Sequence, residues 1–260
     1  MILKGSVSSQ TLEMDTGVSI ITPIEFSSET PYKVAYLLHG LYGANGDWMN
    51  YTMLPYFARD YQVVFIMPEV ARSFYTDMAH GQKFFTYVTE ELPRICQTTF
   101  KISTKREDTA IIGASMGGYG ALKAALSKPS QYGHCCAMSS AWLFLQETMD
   151  DLRTEQGKKR ALAHYGKQMV SDMYSIFGDD LTWQADCEIR ELAKRAQQGP
   201  ITPRFYCTCG TEDYLRADNL RFAQEMKKLQ LDFTYEEWPG RHDWYFFNDA
   251  LKKSLEFCFR

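Results

Sequence analysis

Residues 108–123, DTAIIGASMGGYGALK, limit what this chain can fold into more than any other stretch. Thr109 to Ile112 is short, apolar and partly β-branched, which predicts a buried parallel strand; residues 119–126, rich in Ala and Leu, predict a helix. Between them lies Gly113-Ala114-Ser115-Met116-Gly117. A G-x-S-x-G segment in that setting predicts a sharp strand-to-helix turn that lifts a serine hydroxyl clear of the backbone. Glycines two residues before and after the serine are needed where strand and helix pass too close for a Cβ. The first N–H groups of the helix, unsatisfied and at the positive end of its dipole, suit a developing oxyanion.

A serine hydroxyl is too weak an acid to attack a carbonyl unaided, so the turn requires a base. Five histidines are available. His39 sits in a His-Gly turn at a strand end, His80 opens a helix, His134 begins a strand and His164 lies in a helical piece. His242 lies in WPGRHDW, a loop between the last strand and the last helix, on the carboxyl edge where an open α/β sheet places its sites. It is the expected base, with His39 next. The orienting carboxylate should follow a strand between Ser115 and His242. Asp213 is best placed, since the neighbouring Glu212 would point away from it and Asp218 falls in the next helix; a helix N-cap is the competing role for Asp213.

Two backbone N–H groups should hold the oxyanion. One is that of Met116; the other comes from the loop after the strand at 33–38, with Leu41 first choice and Tyr42 second. Trp48, Tyr75, Trp142 and Trp244 could line an acyl or phenolic pocket, although each alone also reads as core or rim packing. Asp77 could bond a sugar hydroxyl or cap a turn.

The rest of the chain supplies an α/β frame. Residues 4–14 and 18–23, with Asp15-Thr16-Gly17 between, predict an antiparallel hairpin, and a Ser/Thr/Pro-rich connection follows at 27–31. Further strands are expected at 33–38, 62–67, 135–139, 204–208 and 232–236, with helices at 51–59, 217–230 and 244–257. A long helix at 81–100 should be kinked or divided by Pro93. Residues 141–199 show no strand pattern, only helical pieces at 158–165 and 186–198 around a turn at 177–180; they read as a helical insertion over the sheet, a lid or a cleft wall. The expectation is one α/β domain over 1–260, with a mainly parallel sheet covered by helices on both faces.

A formal net charge of −4 provides no basic stripe for phosphates, which argues against a nucleic-acid partner. No apolar run approaches a membrane span, and residues 1–10 lack the apolar core of a signal peptide, so no membrane association and a cytoplasmic location are expected. The seven cysteines, Cys96, Cys135, Cys136, Cys187, Cys207, Cys209 and Cys258, form no C-x-x-C pair and read as reduced core thiols rather than disulfides or a metal site.

Five ordered motifs, LLHGLYGANGDW, SFYTDM, IIGASMGGYGAL, CGTEDYLRADNLRF and PGRHDWYFFNDAL, together resemble the esterase D superfamily of α/β-hydrolases. The branch they resemble is that of tributyrin, feruloyl and acetyl esterases related to carbohydrate esterase family 1. That resemblance implies an α/β-hydrolase fold and a serine carboxylesterase acting on a small-molecule ester, short-acyl or hydroxycinnamoyl and plausibly sugar-linked. It further implies Ser115, Asp213 and His242 as the triad, Leu41 and Met116 as the oxyanion hole, no cofactor, and a possible homo-oligomer. S-formylglutathione hydrolases belong to the same superfamily, but the Thr-Cys that usually follows their His-Gly is absent here, so that activity stands second. Acyl transfer by the same triad, peptidase activity and a catalytically silent binding module are the remaining alternatives.

Overall fold

The computed structural model describes residues 1–24, 30–182 and 186–260. The connection expected at 27–31 lies largely outside them. Eight strands form one sheet: β1 (Ile2–Ser9), β2 (Met14–Ile21), β3 (Lys33–Leu38), β4 (Val63–Pro68), β5 (Thr109–Ala114), β6 (His134–Met138), β7 (Arg204–Gly210) and β8 (Phe233–Trp238). Their order is β1-β2-β4-β3-β5-β6-β7-β8. The edge formed by β1 and β2 is antiparallel, and β3 to β8 run parallel. In β4 and β5 every residue is buried, as apolar runs covered on both faces must be.

The helices are α1 (Asp47–Tyr51), α2 (Leu54–Phe57), α3 (Phe84–Thr86), α4 (Leu92–Phe100), α5 (Met116–Ser127), α6 (Leu145–Leu152), α7 (Glu155–Phe177), α8 (Ile189–Gln198), α9 (Arg216–Lys228) and α10 (Trp244–Phe259). Alternate strand residues feed two apolar cores. Tyr36, Ile66, Ile111 and Phe205 pack with Tyr119 and Leu122 of α5 on one face; Leu37, Phe65, Ile112 and Met138 pack with Phe246, Phe247 and Leu251 of α10 on the other. This is the doubly covered architecture of the α/β-hydrolase fold. All seven cysteines are buried.

The chain passes from β3 outward to β4 and then back across β3 to β5, so the sheet order reverses direction at the β3–β5 pair. Crevices at the carboxyl ends of strands open at such a reversal. Leu38 pairs with Gly113, which sets the loop after β3 beside the turn after β5.

Four local expectations need correction. The hairpin turn falls at residues 10–13 rather than at Asp15-Thr16-Gly17, because the buried Glu91 carboxylate takes the Ser9 hydroxyl and the Gln10 and Thr11 N–H groups. Those long-range bonds outweigh the local Asp-Thr-Gly signal. The helix expected at 51–59 is not continuous: α1 ends at Tyr51, α2 covers only Leu54–Phe57 with Pro55 in its first turn, and a 3₁₀ turn, Ala58–Asp60, follows. The helix expected at 81–100 starts at Phe84 and carries a π-helical stretch, Tyr87–Glu91, directly before Pro93, which sits in the first turn of α4. A widened turn there accommodates a residue that cannot donate an N–H to the turn below. In the insertion, α7 runs far beyond the expected 158–165 piece and breaks at Gly166, whose φ of 80° and ψ of 168° are not helical.

Candidate active site

Ser115 stands between β5 and α5 with φ 57° and ψ −118°, a backbone state that side-chain-bearing residues rarely occupy. Close packing holds it there. A Cβ on Gly113 would lie 2.0 Å from the Gly117 carbonyl oxygen, and one on Gly117 would lie 2.1 Å from that of Leu38. The Ser115 N–H donates to Met138 O at 2.9 Å, and its carbonyl accepts from Ala141 N at 3.2 Å, so the end of β6 and the turn after it grip the strained residue. The Met116 N–H, first in its helix, has no intrahelical acceptor.

The loop after β3 arrives alongside, with the Cα of Gly40 so near that a Cβ on it would be 3.7 Å from the Ser115 Cβ. Its shape is set by His39, whose buried ring places Nδ1 2.8 Å from Gly40 O and accepts the Val70 N–H at Nε2, 3.2 Å away. With both ring nitrogens bound to the backbone, His39 is scaffold and not a base. Tyr75 reinforces the loop by donating its hydroxyl to His39 O at 3.0 Å. Leu41 and Tyr42 follow, facing the same cavity as Ser115.

From the opposite side the loop after β7 brings Asp213 and the loop after β8 brings His242. Nδ1 of His242 lies 2.9 Å from Oδ2 of Asp213, whose side chain is fully buried while the imidazole is 16% exposed. Oδ1 of Asp213 accepts the Leu215 N–H at 2.8 Å within the loop; α9 begins beyond it with Leu215 at its N-cap and no side chain capping it, so the competing N-cap role is not the one Asp213 takes. Burial pushes the Asp213 pKa up, but the hydrogen bond and charge of His242 and the Leu215 N–H outweigh it, and the group sits below the usual carboxylate range. Glu212 points away, toward Arg241 at 3.2 Å. The imidazole is held by rings as well: Tyr214 at 4.8 Å between centroids and Phe247 edge-on at 5.2 Å.

Ser115 and His242 open onto one cavity of about 720 Å³. Trp142 and Trp244 line it as expected. Trp48 and Tyr75 do not. Trp48 is fully buried, donates its indole N–H to Leu38 O at 3.1 Å and packs edge-on against Trp244; Tyr75 is buried beneath the His39 loop. Asp77 lies elsewhere, capping a helix turn through the Thr86 N–H at 2.9 Å. Sequence reasoning missed Phe74, which stacks on Trp142 with centroids 3.5 Å apart, and Phe144, Tyr165 and Met169 from the insertion. Tyr214 was also missed, although its place beside Asp213 was a usable signal. Among the described residues no group of His, Cys, Asp or Glu side chains could hold a metal ion, and no helix is long and apolar enough to cross a membrane.

The sequence model of the Esterase family, described as "Putative esterase", matches residues 9–258. An acetyl esterase of Caldicellulosiruptor saccharolyticus is 29% identical over 257 residues, 95% of this chain and 94% of its own. Among solved structures, the fluorophosphonate-binding serine hydrolase FphF of Staphylococcus aureus, in a substrate-bound state, superposes with a TM-score of 0.83 at 26% identity, covering 99% of this chain and 98% of its own. An S-formylglutathione hydrolase from Staphylococcus aureus superposes with a TM-score of 0.81, also at 26% identity and with coverages of 99% and 98%.

Proposed function

Because the chain belongs to the esterase family and is a carboxylic ester hydrolase, we propose that Ser115, His242 and Asp213 carry out its reaction through an acyl-enzyme. The observation that carries this reading is the contact of His242 Nδ1 with a buried carboxylate on the wall of the cavity onto which the strained Ser115 opens. In it, Nε2 of His242 takes the Ser115 proton as the hydroxyl attacks the ester carbonyl. The N–H groups of Met116 and Leu41 receive the oxyanion. His242 then protonates the leaving alcohol, and a water molecule, deprotonated in turn by His242, releases the acid.

Short-acyl and hydroxycinnamoyl esters, sugar-linked ones included, are the proposed substrates. The cavity has the size of one that encloses a drug-sized ligand. Its aromatic lining, Phe74, Trp142, Phe144, Trp244 and Phe247, supports an apolar or aromatic portion on at least one side of the scissile bond. A glutathione thioester is the second reading, favoured by the likeness to the staphylococcal hydrolase.

Ser115→Ala should lower turnover of 4-nitrophenyl acetate by roughly three orders of magnitude or more and abolish labelling by a fluorophosphonate. A folded variant that keeps most of its activity would remove the mechanism. Matched acetyl, butyryl and feruloyl esters, with S-formylglutathione alongside, then rank the substrates.

A further inference from the structure

The cavity lining divides between the two faces of the sheet. Phe74, Trp142, Phe144 and Met169 pack into the core that α5 covers, whereas Trp244 and Phe247 pack into the core that α10 covers. His242 stands on the second side, with Phe247 edge-on to its ring at 5.2 Å. In the proposed reaction the carbon under attack carries Ser115 Oγ, an oxyanion turned to the Met116 and Leu41 N–H groups, and a leaving oxygen that must come within reach of His242 to be protonated. The direction left for the acyl chain is away from His242, on the α5 side, where Trp142 stands.

The turn that carries Trp142 is bonded to separate parts of the molecule. Ser139 N–H donates to Thr208 O of β7 at 2.7 Å, Ser140 N–H to Oδ1 of the buried Asn219 of α9 at 3.0 Å, and Ala141 N–H to Ser115 O at 3.2 Å. The last of these bonds fixes Trp142 one residue from a direct backbone partner of Ser115. Its indole stacks on Phe74, with centroids 3.5 Å and planes 13° apart, and is backed by Phe177 at 5.7 Å and by Tyr119 edge-on at 6.5 Å, all three of them buried. Both members of the stack have left-handed backbones, φ 49° at Phe74 and φ 50° at Trp142, which costs energy in a residue with a side chain. Two strained residues, one from the loop after β4 and one from the turn after β6, thus meet ring to ring at the cavity wall. Close-packed rings on an anchored turn cannot make way for a longer chain without opening the core behind them.

We infer that the Trp142–Phe74 stack is the end wall of the acyl pocket and that Trp142 sets the longest acyl group this esterase accepts. The inference rests on the proposed Ser115 mechanism, and of the two acyl classes named above it selects the short one. A sphere of 720 Å³ is about 11 Å across, and an extended chain advances about 1.3 Å per carbon, so the half of the cavity on the acyl side takes about four carbons. Each methylene that finds buried room strengthens binding about four-fold. Removing the indole opens such room, and an octanoyl chain that enters it should gain roughly ten-fold or more relative to acetyl.

The test measures kcat/KM for 4-nitrophenyl acetate, butanoate, hexanoate and octanoate, each below its micelle concentration. The native enzyme should lose about ten-fold or more between butanoate and octanoate. Glycine is at ease at a φ of 50°, so Trp142→Gly removes the ring and keeps the turn; its octanoate-to-acetate ratio should rise about ten-fold or more, chiefly through KM. Trp244→Ala, a truncation on the leaving-group side, should move that ratio by less than about three-fold. Should Trp142→Gly fail to fold, Trp142→Phe, which keeps a smaller ring against Phe74, should raise the hexanoate-to-acetate ratio about four-fold, the gain of one buried methylene. A native enzyme indifferent to acyl length, an unchanged ratio in a folded Trp142 variant, or a larger shift from Trp244→Ala overturns the inference and leaves the Ser115 mechanism standing. A native protein that hydrolyses none of the four esters overturns both.

Discussion

Replacing Asp213 with asparagine isolates one atom pair of the proposed mechanism. With Nδ1 of His242 2.9 Å from Oδ2 of Asp213, the centres of charge of an imidazolium and the carboxylate lie about 4 Å apart. At an effective dielectric constant near 20 their attraction is roughly 4 kcal/mol. The carboxylate is buried, so water cannot substitute for it. Only the protonated imidazole feels this attraction in full, and it forms as Ser115 attacks; the loss therefore falls on kcat and spares KM. Four kcal/mol is about a thousand-fold in rate. The amide can also donate to Nδ1, favouring the tautomer whose proton sits on Nε2 and which cannot accept one from Ser115. In a serine protease the same Asp-to-Asn exchange, acting through the wrong tautomer, lowers kcat by about 10⁴. Steady-state hydrolysis of 4-nitrophenyl acetate at pH 8, on a variant whose fold is checked by circular dichroism, measures the loss. One of less than about ten-fold would refute the role given to Asp213.

Two further substitutions test the frame. Burial raises the Glu91 pKa, but the Ser9 hydroxyl and the Gln10 and Thr11 N–H groups more than offset this, so the carboxyl is held below its ordinary value. A depressed carboxyl stabilises the fold above its unfolded pKa and ceases to do so as pH falls through its folded one. Glu91→Gln should therefore melt lower at pH 7, by about 2–8 °C for a loss of 1–2 kcal/mol, and the gap from the native protein should close as the pH falls below about 4. An equal gap at both pH values would contradict this account. Gly117→Ala places a methyl carbon 2.1 Å from the Leu38 carbonyl oxygen, and a backbone oxygen cannot turn aside as a side chain can. A cost of about 3 kcal/mol, read as a melting point at least about 5 °C lower together with loss of esterase activity, is expected, and a variant with native melting and turnover would show the packing to be looser than described.

The inner strands were legible because each is short, apolar and bounded by turn residues, and the observed ends of β3 to β8 differ from the expected ones by two residues at most. The turn at Ser115 was legible for a different reason: its glycines are demanded by backbone oxygens about 2 Å from where a Cβ would stand. What local pattern could not carry was information held across the chain. The hairpin turn depends on Glu91, some 80 residues away from it, and the scaffold role of His39 depends on the Val70 N–H. Trp48 and Tyr75 belong to the same class. Nothing in their immediate sequence separates a ring that lines a cavity from one that lies under it, and in both cases a backbone carbonyl, of Leu38 or of His39, draws the polar end inward.

The insertion is where these two kinds of information part most clearly. In a sheet, alternation tells which side chains face a core; in α6 and α7 the residues that reach the cavity, Thr148, His164, Tyr165 and Met169, follow no single stripe because α7 breaks at Gly166. The break turns the exposed first half of α7 away from the line of its buried second half, so His164 and Tyr165 line the cavity that Ser115 opens onto while Met173 and Ile176 remain in the core. Gly166 has open space around its missing side chain, and its positive φ is therefore the one constraint on that residue. The position of Ser115 and the shape of the cavity thus rest on different parts of the molecule. Backbone packing around β3, β5 and α5 holds Ser115, the proposed nucleophile, and loops and inserted helices with few such constraints supply the walls of the cavity onto which it opens.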